Sequence, residues 1–168
     1  SGAEIADNAA AAVRVCEFVV TMLHTPGAVR EVAQEEDGVL SGIQPGALWL
    51  EMSSSQPRLT SELSAAAADR KATLVDAPVS GGVKGARDGS LTIMVGASRD
   101  ALNRARHLLD VLGSRIVHVG DQPGLGDLAK TVNNMLSAAN LAAAAEGLAL
   151  GMSGGLEPAR LLDVLNGS

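Results

Sequence analysis

Over the first two-thirds of this chain, short β-branched runs alternate with helical patterns; then the alternation stops. Glu17 to Leu23 and Ala47 to Met52 are compact apolar runs of strand length, and Ala72 to Asp76, Ser90 to Val95 and Arg115 to Val119 continue the series. Helical patterns fall between them: Ala6 to Val13 with Asp7 as its cap, Pro26 to about Gln34, Pro57 to about Arg70, and Arg99 to Leu112. Gly38 and Pro45-Gly46 punctuate a loop. Strand–helix alternation of this kind predicts βαβ units and an α/β fold with a parallel sheet. From Leu125 to Met152 there is no strand signal, and the segment is dense in Ala, Leu and Met. It reads as one long, mostly buried helix, followed by a second that opens at Glu157-Pro158 and ends near Leu165. The expected division is therefore an α/β part over residues 1–121 and the start of an all-helical part over 122–168. Ala138-Ala139 and Ala142 to Ala145 are small enough for another helix to approach closely, from more of the same chain or from a second subunit.

Composition narrows the class. Hydrophobic residues make up 46% and charged ones 19% of the 168, a globular balance. Phe18 and Trp49 are the only aromatic residues, so the core must be built from Ala, Val, Leu, Ile and Met. A net charge of −6 argues against a broad nucleic-acid surface, without forbidding a local basic pocket for an anion. The single cysteine, Cys16, allows no internal disulfide and reads as a buried structural thiol. No segment reads as an uninterrupted membrane span and no signal peptide is visible, so the expectation is a soluble, cytoplasmic protein. The first residue is Ser1, and the chain opens and closes in mid-pattern, so the expectation is a fragment.

Two segments carry the chemistry. The first is Asp76-Ala77-Pro78-Val79-Ser80-Gly81-Gly82, which follows a predicted strand. Glycines let consecutive N–H groups converge on an anion, and the Ser80 hydroxyl adds a donor. Ligands in open α/β sheets lie at the carboxyl ends of strands, where this loop is delivered. A tight strand-to-helix turn fits the same residues equally well. The second segment is Gly124-x-Gly126 followed by Lys130, Asn133 and Asn134. Residues three and four apart share a helix face, so an ammonium and two amides meet on a helix flanked by Leu128, Ala129, Val132 and Met135. Burial lowers a lysine toward neutrality, which suits a general acid/base; a lysine that snorkels to solvent is the alternative. Together the two segments suggest a site that grips a small carboxylate and delivers a proton beside it.

Other polar residues are weaker candidates. Ser53-Ser54-Ser55 precede a helix start, where hydroxyls either cap the helix or touch a bound ribose or nicotinamide. His24 follows a strand and either reaches the ligand edge or stays a surface residue. His107 and His118 have no metal-ligand partner at useful spacing, and no metal site is expected. Asp76 is expected to order the loop that follows it.

The segment Asp76 to Gly96 resembles, almost residue for residue, the substrate-loop signature of the β-hydroxyacid dehydrogenases, which include 3-hydroxyisobutyrate dehydrogenase and tartronate semialdehyde reductase. Gly124 to Asn134 resembles the catalytic motif of the same family, and Thr21-Met22-Leu23 and Glu51 to Pro57 match more weakly. The resemblance implies an NAD(P)-binding Rossmann-type domain, here lacking its N-terminal βαβ start, then a connecting helix and a helical domain. It implies reversible oxidation of a small 3-hydroxy acid to its semialdehyde or keto acid with NAD or NADP. In that reading Lys130 is the general acid/base; Ser80, Gly81 and Gly82 hold the substrate carboxylate; Asn134, and more weakly Asn133, fix the substrate; and Leu23, His24 and Ser54 line the cofactor. A homo-oligomer is implied for the full-length protein.

Departures are visible. The family usually has proline at His24, often threonine at Ser54 and aspartate at Glu51. The branch that acts on phosphorylated sugar acids usually carries histidine where this chain has Asp127. No G-x-G-x-x-G occurs, so these 168 residues are expected to bind cofactor poorly by themselves. A non-catalytic relative, serving as a binding or assembly module, is the competing reading; Lys130 speaks against it, as it does against an imine reductase.

Overall fold

The computed structural model describes residues 2–167. They form two compact units, Ser1–Thr131 and Val132–Ser168. The first is built on a sheet of β1 (Phe18–Thr21), β2 (Leu48–Glu51), β3 (Thr73–Asp76), β4 (Val79–Ser80), β5 (Leu91–Gly96) and β6 (Gly113–Gly120). Its helices are α1 (Ala9–Val13), α2 (Pro26–Gln34), α3 (Val39–Gly42), α4 (Pro57–Asp69), α5 (Gly82–Asp88) and α6 (Arg99–Leu112). Helix α7 (Leu125–Ser153) begins in the first unit and continues into the second, which also holds α8 (Pro158–Asn166).

Strands β1, β2 and β3 are parallel, with Val19, Trp49 and Leu74 in register. Strand β5 runs antiparallel to β3, meeting it at Asp76 and Gly96, and also antiparallel to β4. Strand β6 is parallel to β5. The expected parallel sheet is thus parallel only within each set, because β4 and α5 turn the chain back instead of carrying it across. Apolar periodicity reports that a strand is buried but not which way it runs.

Side-chain alternation splits the interior into two layers. On one face Val19, Trp49 and Leu74 pack with Val29, Val39, Leu59, Leu63 and Ala67 from α2, α3 and α4. On the other, Leu48, Leu50, Val75, Ile93 and Val95 pack with Ala101, Ala105 and Leu109 of α6. Trp49 is fully buried, and its indole N–H donates to Thr21 Oγ1 at 2.8 Å. An indole needs such a partner when it is removed from water.

Several local readings are corrected. Helix α1 is capped by Asn8, which accepts from the Ala11 N–H, and not by Asp7. Helix α3 lies where a loop is expected, while α5 follows the strand-to-helix alternative for Ser80-Gly81-Gly82. Cys16 is half-buried against the first layer, with its thiol donating to the Ala12 carbonyl. The serine triplet does not cap α4: its N-cap is Gln56, without a side-chain bond.

Helix α7 is as long as predicted, but the expectation that it is mostly buried is not met: its buried residues are Gly126 and Asp127, both in the first turn. Its apolar window has a mean hydropathy of 1.3 with none of it buried, so among the described residues one helix is long and apolar enough to cross a membrane, contrary to the reading of the sequence. Apolar composition records that a helix is made to be covered, not what covers it.

Candidate active site

The carboxyl ends of the parallel strands carry buried carboxylates, and each organises a different loop. Glu51 ends β2. Its Oε2 accepts from the Thr21 hydroxyl at the end of β1, and its Oε1 accepts from the Ser53 N–H at 2.8 Å. Ser53 Oγ in turn accepts from the Leu23 N–H at 2.8 Å. Glu51 thus ties the loop after β1 to the loop after β2. Burial pushes its carboxyl above the usual range despite these bonds.

Asp76 ends β3 and is fully buried. Its Oδ2 accepts from the backbone N–H groups of Gly124 and Gly126, each at 2.7 Å, and of Asp127 at 3.2 Å. The carboxylate therefore holds the start of α7, rather than the loop that follows it. The neighbouring glycines are needed for the fit. A Cβ on Gly126 would stand 2.6 Å from the Met94 carbonyl oxygen and 2.9 Å from Asp76 Cγ; one on Gly96 would stand 2.9 Å from Asp76 Oδ2. Burial, and then the charge of Asp127, raise the Asp76 carboxyl to about 7 against the pull of the three N–H donors. Asp127 is itself fixed, accepting from the Ser55 N–H at 2.9 Å and the Thr60 hydroxyl at 2.6 Å, and burial raises it as well.

Lys130 lies one residue short of a helical turn beyond Asp127. Together with Ser80, Gly81 and Gly82 it lines one cavity of about 580 Å³. The rest of the wall is apolar, including Val20, Met22, Met52, Val79 and Leu112. Burial lowers the Lys130 ammonium from the ordinary lysine value. Gly81 and Gly82 have φ of 135° and 61°, a consecutive pair of left-handed conformations that side chains rarely adopt. That pair turns the end of β4 into α5 and leaves both backbones exposed at the cavity. The anion-cradle and strand-to-helix readings of this segment thus describe the same atoms.

The remaining sequence candidates fall elsewhere. Leu23 is half-buried against the first core layer, while His24 and Ser54 are exposed at the carboxyl ends of β1 and β2; none of the three is in the cavity wall. Asn133 is half-buried and Asn134 exposed, three and four residues beyond Lys130 on α7 and within the second unit. Among the described residues, no group of three or more His, Cys, Asp or Glu could hold a metal. The roles of Asp76 and Asp127 in setting α7 were missed. The available signal was an aspartate closing an otherwise apolar strand, since buried carboxylates require partners.

The family described as the NAD binding domain of 6-phosphogluconate dehydrogenase matches residues 1–120, and that described as the NAD-binding domain of NADP-dependent 3-hydroxyisobutyrate dehydrogenase matches residues 124–168. The chain belongs to the β-hydroxyacid dehydrogenase family. It is 40% identical to 2-(hydroxymethyl)glutarate dehydrogenase of Eubacterium barkeri over 99% of its own length and 55% of the relative's. It is also 40% identical to the NAD-dependent L-serine dehydrogenase of Pseudomonas aeruginosa, over 100% of its length and 56% of the relative's. The structure of 3-hydroxyisobutyrate dehydrogenase from Mycobacterium tuberculosis with L-serine superposes with a TM-score of 0.86 at 36% identity, over 95% of this chain and 53% of that one. The chain thus spans about half the length of these relatives.

Proposed function

We propose that the protein is an NAD(P)-dependent dehydrogenase that interconverts a small 3-hydroxy acid and its semialdehyde or keto acid. The observation that carries the reading is a single cavity that joins a lysine of lowered proton affinity to the Ser80-Gly81-Gly82 backbone within apolar walls. The compounds in the relatives' names also share a pattern: L-serine, 3-hydroxyisobutyrate and 2-(hydroxymethyl)glutarate each place a hydroxymethyl group on the carbon next to a carboxylate.

In this reading the Ser80 hydroxyl and the Gly81 and Gly82 N–H groups receive the substrate carboxylate. The carboxylate thereby fixes how far the reacting carbon lies from α7. Neutral Lys130 takes the hydroxyl proton on its Nζ as the alcohol is oxidised, and returns it to the carbonyl oxygen in reduction. A neutral amine is the form an apolar wall favours, so burial makes Lys130 a readier proton acceptor than an exposed lysine. Asn134, with Asn133, orients the substrate beside Lys130. Leu23, His24 and Ser54, at the carboxyl ends of β1 and β2, would hold the dinucleotide, whose nicotinamide supplies the hydride acceptor. The exposure of His24 and Ser54 at that edge fits such a ligand.

Lys130→Ala in the intact gene product is expected to lower kcat by about a thousandfold while leaving the affinity for NAD(P)H within about threefold. Turnover is followed with L-serine and 3-hydroxyisobutyrate, and cofactor binding by calorimetry. A variant with near-normal turnover would remove Lys130 from this role and bring the non-catalytic binding module forward. The 168-residue chain by itself is expected to bind NAD(P)H weakly, for want of a G-x-G-x-x-G; tight stoichiometric binding in the same calorimeter would contradict that.

A further inference from the structure

Asp76 serves two parts of the site at once. It closes β3 only four residues before Ser80, and through Oδ2 it receives three backbone N–H groups from the start of α7. Its partners lie 48, 50 and 51 residues away in the chain, so this contact is made only by the folded unit. The segments it joins are those that carry the carboxylate cradle and the lysine. Resting on the proposed function, we infer that Asp76 is a positioning residue for Lys130: its carboxyl oxygen sets the distance from the ammonium to the Ser80-Gly81-Gly82 cradle.

The geometry leaves little slack. With a helical rise of about 1.5 Å per residue, Lys130 lies about 4.5 Å along the axis from Asp127, so a shift of the first turn moves Nζ with it. Gly96 and Gly126 close on the carboxyl from two sides and leave no room for a Cβ. The second oxygen, Oδ1, is buried without a hydrogen-bond partner. That arrangement needs an acceptor at Oδ2, where all three N–H groups donate, and makes no hydrogen bond at Oδ1. An asparagine oriented with its oxygen at the Oδ2 position keeps the acceptor, whereas alanine abolishes it and strands three N–H groups.

The test compares Asp76→Ala with Asp76→Asn in the intact gene product. Turnover is measured with NAD+ or NADP+ and 3-hydroxyisobutyrate. The ionisation of Lys130 is measured separately, as the pH dependence of its labelling by an amine-reactive reagent, resolved by peptide mass spectrometry. Asp76→Ala is expected to lower kcat about a hundredfold, the scale of a misplaced catalytic group. It should also move the Lys130 labelling curve upward, toward the ordinary lysine value, as the loosened turn admits water. Asp76→Asn is expected to restore both. An alanine variant whose labelling curve does not move overturns the inference whatever its turnover, and so does an asparagine variant as deficient as alanine. If the alanine variant does not fold, hydrogen exchange in the unsubstituted protein decides. Protected Gly124 and Gly126 amides support the contact, and exchange at the open-chain rate overturns it. Undiminished turnover in Lys130→Ala would defeat the general acid/base reading alone, because the labelling arm does not depend on catalysis.

Discussion

The units Ser1–Thr131 and Val132–Ser168 draw on the same short list of side chains, mostly Ala, Leu, Val and Met, and use them in opposite ways. In the first, Trp49, Leu48, Leu50, Leu63 and Ile93 are completely removed from water, between a sheet and the helices on its two faces. In the second, Leu141, Leu150, Leu156 and Val164 are more than half exposed. A sheet offers two faces that neighbouring helices can cover, whereas an α7 with one short helix after it leaves most of its circumference open. Apolar composition thus predicts burial only where the chain itself supplies the opposite surface.

Substitutions can break that comparison. The largest stability effect is expected from Trp49→Ala. It opens a cavity between β1, β2 and α4 and leaves the Thr21 hydroxyl without its indole donor, at a cost of about 3–5 kcal/mol in urea unfolding. A loss below about 1 kcal/mol would mean that the first layer is not the core described.

Asp76→Asn should act through pH. The folded carboxyl is raised from 3.8 to about 7, so its contribution to stability is complete below the lower value and is lost as pH rises through the upper one. Between those limits the unfolding free energy should fall by up to about 1.4 kcal/mol per pH unit from this group. The asparagine variant should show a flatter slope, read as the difference between the two proteins' urea midpoints from pH 4 to 8. Glu51 and Asp127, also raised, contribute in the same direction and remain in both proteins. Equal slopes would show that Asp76 is ionised in the folded state throughout.

The smallest effect is expected from Leu141→Ser. On an open helix face it should change the stability of the 168-residue chain by no more than about 0.5 kcal/mol. A cost above about 1.5 kcal/mol would show that the face is covered in solution, and the contrast between the two units would disappear.

Much of the site was legible because its parts are local. Gly81 and Gly82 announce a left-handed turn after a strand, and Lys130 stands out in an apolar helix. The helix α6 (Arg99–Leu112) and the opening of α2 at Pro26 follow directly from apolar spacing and from the preference of proline for a first helical turn. The strand β4 and the reversal of β5 were not legible, since two to six residues carry too little periodicity to outweigh the pairing partners the fold provides.

By itself, then, the sequence determined the elements that run for several turns or a full buried strand, and the two motifs whose residue types are unusual for their surroundings. Only the tertiary structure decided that β5 opposes β3, that the Glu51 carboxylate joins the loops after β1 and β2, and that Asp76 holds the start of the helix carrying Lys130. The physical reason is range. Backbone propensity and side-chain periodicity act over a few neighbouring residues, while a buried carboxylate is satisfied by whatever donors the fold brings to it from tens of residues away.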